Sequence, residues 1–269
     1  MRDRTMSDFS LRAPSMYYQR SWLIALPIAV ASACSHSEPR AVVPGVAVQV
    51  DRTSGPDTVV YARSITRAGQ DSASGTRTVV RQVIQGADGA RLLEVEQRFP
   101  AGGGEIVDTA VADLNTLRAV SHRSHQPTRT MQFAFVGDSA VGTVSTAKGD
   151  SAPRVESVRQ GLGGPIFDSN VIDLVVAALP LHPQFATELP FFIYEKGGRV
   201  PMAVEVRERT SVQFSKLGPR DVWVVTVAVP GAPATVWVDT QTRAVLRVRY
   251  DISDRNLSFT DERITPLAG

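Results

Sequence analysis

A lone thiol, a pair of close histidines, scattered carboxylates and two glycine runs are the residues of this 269-residue chain that could do chemistry. Cys34 is the only cysteine. His122 and His125, in SHRSHQ, stand at i and i+3, so on a strand they point to opposite faces. No third ligand type clusters with them and no thiolate is near, which argues against a zinc site. The runs AGGGE (101–105) and GLGGP (161–165) lack the lysine and hydroxyl residue of a phosphate loop, and neither has the strand-then-helix setting of a dinucleotide fingerprint. The first reads as a hairpin tip and the second as a lead into a helix. There is no G-x-S-x-G elbow, and no S-x-x-K paired with K-T-G. Carboxylates such as Glu94, Glu96, Glu205 and Asp239 are expected on wet faces or in turns. No catalytic residue, cofactor or metal ligand is therefore assigned.

Cys34 draws its meaning from what precedes it. A polar, partly basic segment ends at Arg20, WLIALPIAV (22–30) is apolar, and Ala31, Ser32 and Ala33 are small. That is the layout of a secretory signal peptide. The apolar run is shorter than the ~20 residues of a spanning helix, and Pro27 interrupts it. Met16 offers a second plausible start. Val30-Ala31-Ser32-Ala33-Cys34 resembles a bacterial lipobox, with Ala31 where leucine is usual. The expectation is cleavage after Ala33 and lipidation of Cys34, which two or more acyl chains would anchor firmly. In the lipoprotein pattern that this stretch resembles, Ser35 in place of aspartate implies, for a diderm source, the periplasmic face of the outer membrane.

Removing residues 1–33 takes away Arg2, Arg4, Arg12, Arg20, Asp3 and Asp8, leaving 25 basic and 25 acidic side chains. A neutral chain has no net pull toward nucleic acid, and no nucleic-acid partner is expected. Residues 34–56 are rich in proline, glycine and small residues and read as a tether. Residues 57–269 are long enough to bury a core by packing alone.

The elements that must position any site are mostly strands. Leu93, Val95, Gln97 and Phe99 alternate with Glu94, Glu96 and Arg98. Met131, Phe133 and Phe135 alternate with Thr130, Gln132 and Ala134. Leu246, Val248, Tyr250 and Ile252 alternate with Arg247, Arg249 and Asp251. One dry and one wet face is the mark of an antiparallel sheet. Turn sequences such as Ala87-Asp88-Gly89, Gly137-Asp138 and Gly218-Pro219 separate these runs. The prediction is a mainly β fold: a curved antiparallel sheet or half-barrel of about ten strands. One helix interrupts it, with Val171, Leu174, Val175 and Ala178 on one face, Asp168 or Ser169 as cap, Asp173 in its early turns and Pro180 as its stop. It is expected to cover an open side of the sheet.

Aromatic residues in the apolar runs are the candidate ligand-lining set: Phe133, Phe135, Phe191, Phe214, Trp223 and Trp237. Core filling is their ordinary role. In a half-closed barrel some of them would line a cavity for a lipid or other apolar ligand.

The order of segments DLNTLRAVSHRS (113–124), NVIDLVVAALPL (170–181), PFFIYEK (190–196), VWVVTVAV (222–229) and VWVDTQTRAVLRVRY (236–250) resembles a group of uncharacterised bacterial envelope proteins. Trp237 and Asp239 match that group's tryptophan–aspartate hairpin, and Leu179-Pro180-Leu181 matches its helix end. The resemblance spans roughly residues 57–255. It implies a curved sheet similar to that of LolA and LolB, and it brings no established catalytic residue. The expectation is a membrane-anchored periplasmic lipoprotein that binds a lipid or acyl ligand. A non-enzymatic assembly protein docking an envelope partner is the alternative, and an unrecognised hydrolase the least favoured reading.

Overall fold

Alternating sequence makes strands, and short turns join each strand to its neighbour as an antiparallel pair. The computed structural model describes residues 57–101, 103–147, 152–196, 198–252 and 255–267. The expected signal peptide (1–33), Cys34 and the tether (34–56) lie outside these residues. Eight strands lead out from the start: β1 (Asp57–Arg67), β2 (Gln70–Gln85), β3 (Arg91–Ala101), β4 (Gly104–Asp113), β5 (Ala119–Gln126), β6 (Arg129–Val136), β7 (Ser139–Thr146) and β8 (Arg154–Gly161). After β9 (Phe167–Asp168), a 3-10 turn (Ser169–Val171) and helix α1 (Ile172–Ala178), the meander resumes as β10 (Ala186–Ile193), β11 (Gly198–Phe214), β12 (Gly218–Val227), β13 (Ala234–Asp239), β14 (Val245–Ile252) and β15 (Leu257–Arg263).

All fifteen strands form one open curved sheet in the order 8-7-6-5-4-3-2-1-15-14-13-12-11-10-9. The pairing of β1 with β15 joins the two halves, and only the β9–β10 pair is parallel. The sheet thus has fifteen strands where about ten were expected. The alternation signal missed β8, which is almost wholly exposed; a strand with no buried face shows no period of two. Two-residue β9 is too short to leave a pattern.

The two free ends of the sheet approach each other. Arg199, on β11, donates from Nη1 to the carbonyls of Leu162 and Gly163 at 3.2 and 3.3 Å, just beyond β8. A Cβ on Gly198 would lie 2.6 Å from the Gln160 side chain of β8, and its φ is +96°. Glycine suits that left-handed turn and leaves room for this approach.

The main core lies on the inner face, where strand residues such as Val95, Met202, Val236 and Val248 meet Val171, Ile172, Val175 and Val176 of the helical segment. A second inner cluster surrounds Met131, Phe133, Ile166 and Phe192. A third sits on the outer face around Phe214, Val222, Val224 and Leu246. Leu246 was expected to share a face with Val248. A bulge opposite Trp237 and Val238 places it with Phe214 instead, because one extra residue inverts the alternation.

The helix forms where its periodicity predicts. Asp168 caps the 3-10 turn by accepting from the Asn170 N–H at 2.8 Å, and Leu179, before Pro180, is extended (φ −70°, ψ 151°). Its last carbonyls, Ala177 and Leu179, accept from Arg243, a cation placed where the helix dipole favours one. Asp173 lies in the first turn of α1, as its position predicts, and its carboxylate is buried against the sheet. No helix among the described residues is long and apolar enough to cross a membrane.

Candidate functional site

The inner face carries buried charge at its centre. Arg63 and Asp261 are cross-strand partners of β1 and β15, as are Tyr61 and Arg77 of β1 and β2, so side-chain pairing across the ladder brings them together. Asp261 is fully buried. It accepts from Arg63 Nε and Nη2 at 2.7 and 2.8 Å, and from Arg77 Nη1 at 3.4 Å. Arg77 also donates from Nη2 to Asp173 of the helix at 3.2 Å and from Nε to Gln97 at 3.1 Å. Gln97 donates in turn to the Asn170 carbonyl. The network thus ties the helical segment to the floor of the sheet.

Burial alone would lower the Arg77 pKa, but Asp173, Tyr250, Asp261 and Tyr61 outweigh it and raise the pKa above the usual arginine value. Desolvation pushes the Tyr250 phenol up to about 12, with the Arg77 charge opposing and Asp173 and Asp261 adding to the rise. The Tyr61 phenol is raised mainly by burial.

Above this floor lies a cleft of about 640 Å³ beneath the 3-10 turn and α1. Its walls are apolar, with Ile65, Phe99, Ile106, Tyr250, Ile252 and Phe259 contributed by five strands. The Arg63 guanidinium sits 4.3 Å from the centre of the Phe99 ring and 6.0 Å from that of Phe259. Asp108 and Asn170 also line the cleft. Burial raises the Asp108 pKa, while a hydrogen bond from Ser124 and the nearby His122 work to lower it. Asp108 Oδ1 and Asn170 Nδ2 are shielded from solvent without a hydrogen-bond partner among the described residues.

None of the predicted aromatic residues lines this cleft. Phe133 is buried in the second cluster, with Phe192 edge-on at 5.3 Å and Tyr194 at 5.3 Å. Phe135 packs on Phe192 at 4.9 Å. Phe191 lies in the main core, 5.6 Å from Phe167, and Trp223 packs against that core from the inner face. Phe214 and Trp237 belong to the outer-face cluster, each with the Arg247 guanidinium over its ring. Rings fill volume well, and these six pack against neighbours; Phe133 also borders a second cleft of about 340 Å³ with His122 and Gln132.

His122 and His125 do point to opposite faces, one buried and the other exposed. Sequence reasoning missed the partner of His122: its Nδ1 lies 2.9 Å from Asp168 Oδ2, on the segment leading into α1. Asp239, expected in solvent, is buried, and its Oδ1 accepts from the Gln241 and Thr242 N–H groups and the Thr242 hydroxyl. No group of three metal-ligating side chains is present among the described residues. One sequence signal did point to the charged floor. Gln97 occupies a dry-face position between Val95 and Phe99, and a polar residue there needs buried partners.

The family described as "Protein of unknown function (DUF3108)" matches residues 59–260, and the chain belongs to it. This agrees with the uncharacterised group that the sequence resembles. Among solved structures, the chain is similar to a beta-barrel-like protein of domain of unknown function DUF1849 from Brucella abortus, at 11% identity and a TM-score of 0.47. That match covers 80% of this chain and 99% of the other. No curated protein matches the sequence.

Proposed function

We propose that this DUF3108-family chain is a binding module of the bacterial envelope that holds a lipid, or another molecule with an apolar chain, in the cleft beneath α1. One observation carries the reading: a cleft of about 640 Å³ with apolar walls over a polar floor. Small-molecule sites typically occupy about 300–1,000 Å³ and combine apolar walls with a few placed polar groups. The charged groups of the floor are engaged in ion pairs, which suits holding a ligand better than transferring protons. Among the described residues, the large exposed apolar side chains are Val136 and Val155, which lie on separate strands. That gives less support to a role in docking a protein partner, which needs a contiguous patch.

In this reading Cys34 carries the lipid anchor, and residues 34–56 tether the domain to the periplasmic face of the outer membrane. Native mass spectrometry with lipid extraction of detergent-free Cys34→Ala protein tests the binding function. A co-purifying or titratable lipid is expected, and its absence in both formats sinks the proposal. Palmitate labelling of the wild type but not of Cys34→Ala is expected for the anchor; equal labelling would exclude it.

A further inference from the structure

Building on the reading of the cleft as a ligand site, we infer that its occupant is an uncharged amphiphile of the acylglycerol class, one apolar chain ending in a head of hydroxyl and ester groups. The head rests on the floor, and the chain lies along Phe99, Ile106 and Ile252.

The polarity of the cleft sets the direction. Asp261 and Arg77, at the floor, are 0% and 4% exposed, whereas Ile65, Phe99, Ile106 and Ile252 are only half-buried. A ligand that satisfies both zones enters with its polar end first and leaves its chain against the rim. Size limits that chain to one. At about 30 Å³ per water-sized group, 640 Å³ seats about twenty groups, enough for one acyl chain with a small head.

The charges of the floor decide the head. Arg63 and Arg77 face Asp261 and Asp173 in three ion pairs of 2.7 to 3.4 Å, so the set is neutral and internally matched. Arg77 uses all three guanidinium nitrogens on Gln97, Asp261 and Asp173. An anionic head would bring a third negative charge to two positive ones, and a buried charge without its own partner is costly. The state of Asp108, also on the lining, does not alter this. Ionised, it repels a second anion; protonated, it supplies no positive charge to hold one. A cationic head fares no better. It meets two guanidiniums on the lining, both Asp261 oxygens already accept from arginine, and Asp108 Oδ1 is shielded from solvent.

The lining offers neutral polarity instead. Ser74, Ser169 and Tyr250 are its hydroxyl residues, and a hydroxyl both donates and accepts. The Tyr250 phenol feels the charges of Arg77, Asp173 and Asp261, which places its polar end toward the floor, and with a pKa pushed up to about 12 it keeps its proton at neutral pH. Hydroxyl and ester oxygens pair with such groups and add no charge to a set that is already balanced.

The test is calorimetric titration of the full chain carrying Cys34→Ala at pH 8, with monodecanoylglycerol, decanoate and decyltrimethylammonium as probes. The glyceride is expected to bind about tenfold more tightly than either ion, since an unmatched buried charge costs at least as much as one hydrogen bond. Asp261→Asn, checked for folding by circular dichroism, removes one negative charge from the floor and is expected to narrow the gap between glyceride and decanoate several-fold. Ile106→Trp, checked in the same way, is expected to weaken glyceride binding at least about tenfold by filling the chain's path. Decanoate or decyltrimethylammonium binding as tightly as the glyceride in the parent chain, or an unchanged gap in folded Asp261→Asn, would overturn the head-group inference and leave the cleft reading standing. If Asp261→Asn does not fold, the parent-chain ranking decides alone. Failure of all three probes to bind, or undiminished binding by folded Ile106→Trp, would overturn the cleft reading itself.

Discussion

Around Phe133 the inner face is filled by rings: Phe192, Phe135 and Tyr194 pack there, and His122 stands 6.4 Å from the Phe133 centroid. Around Arg77 the same face holds two guanidiniums, two carboxylates and an amide, with open space above them. Both regions lie under the stretch from β9 through α1, and both are tied to it: His122 to Asp168 of β9 in the first, Arg77 to Asp173 of α1 in the second. The difference lies in what the side chains can tolerate. Rings gain by excluding one another's neighbouring voids, so the free ends of the sheet close on them. Charged groups need fixed geometry and satisfied bonds, so they hold strands at a set spacing without filling the volume between. Close packing leaves about 340 Å³ beside Phe133 and His122, and the ion-pair frame borders a cleft of about 640 Å³.

The largest test of that contrast is Asp261→Ala. It leaves Arg63 and Arg77 buried without their shared carboxylate, a loss expected to cost about 3–5 kcal/mol in chemical denaturation. A loss under about 1 kcal/mol would show that the frame is not what supports the open region. Phe133→Ala removes a fully buried ring and is expected to cost about 3–5 kcal/mol, while cleft binding in the folded fraction stays at the wild-type value. A coupled loss of binding would merge the two regions into one. Gly142, opposite Phe133 in the β6–β7 ladder, has no room for a side chain, since a Cβ would lie 1.9 Å from the Gln132 carbonyl oxygen. Gly142→Ala should therefore destabilise by about 1–3 kcal/mol, measured in the same denaturation series.

Smaller effects are expected at the cleft wall. Phe99 stacks on Arg63 and already faces open space, so Phe99→Ala should cost only about 1 kcal/mol in stability yet weaken binding of an acyl probe. The reverse pattern, a large stability loss with intact binding, would place Phe99 with the packed region. Asp108→Asn gives the most delicate signal. The folded-state pKa of Asp108 is raised above 3.8. Its contribution to stability is therefore fully present below the unfolded pKa and is lost as pH rises through the folded one. Asparagine mimics the protonated form, so the stability of the variant relative to wild type should rise between acid and neutral pH. A pH-independent difference would mean that folding leaves the Asp108 pKa where it is in the unfolded chain.

Much of the fold is readable in residue order. The alternation of Leu93, Val95, Gln97 and Phe99 places β3, and the spacing of Val171, Leu174 and Val175 with Pro180 beyond places α1. The site is less readable. Gln97 gives a local hint, but nothing near Asp261 in LSFTDER or near Arg77 in GTRTVV shows that the two residues, 184 positions apart, share a bond. The aromatic candidates went the other way. Phe133 and Trp223 have the right chemistry for an apolar ligand, yet neighbours from other strands already occupy the space they face.

Local chemistry in the chain determined the strands, most of their turns, the helix and its ends, and the overall neutrality of residues 34–269, because each depends on the side chains and backbone preferences of a few adjacent residues. Only the tertiary structure decided which buried carboxylate meets which arginine, where a bulge turned Leu246 outward, and which part of the inner face borders the larger cleft. Those outcomes depend on how the β1–β15 pairing and the curl of fifteen strands bring distant residues within hydrogen-bond reach, and no local sequence pattern encodes that distance.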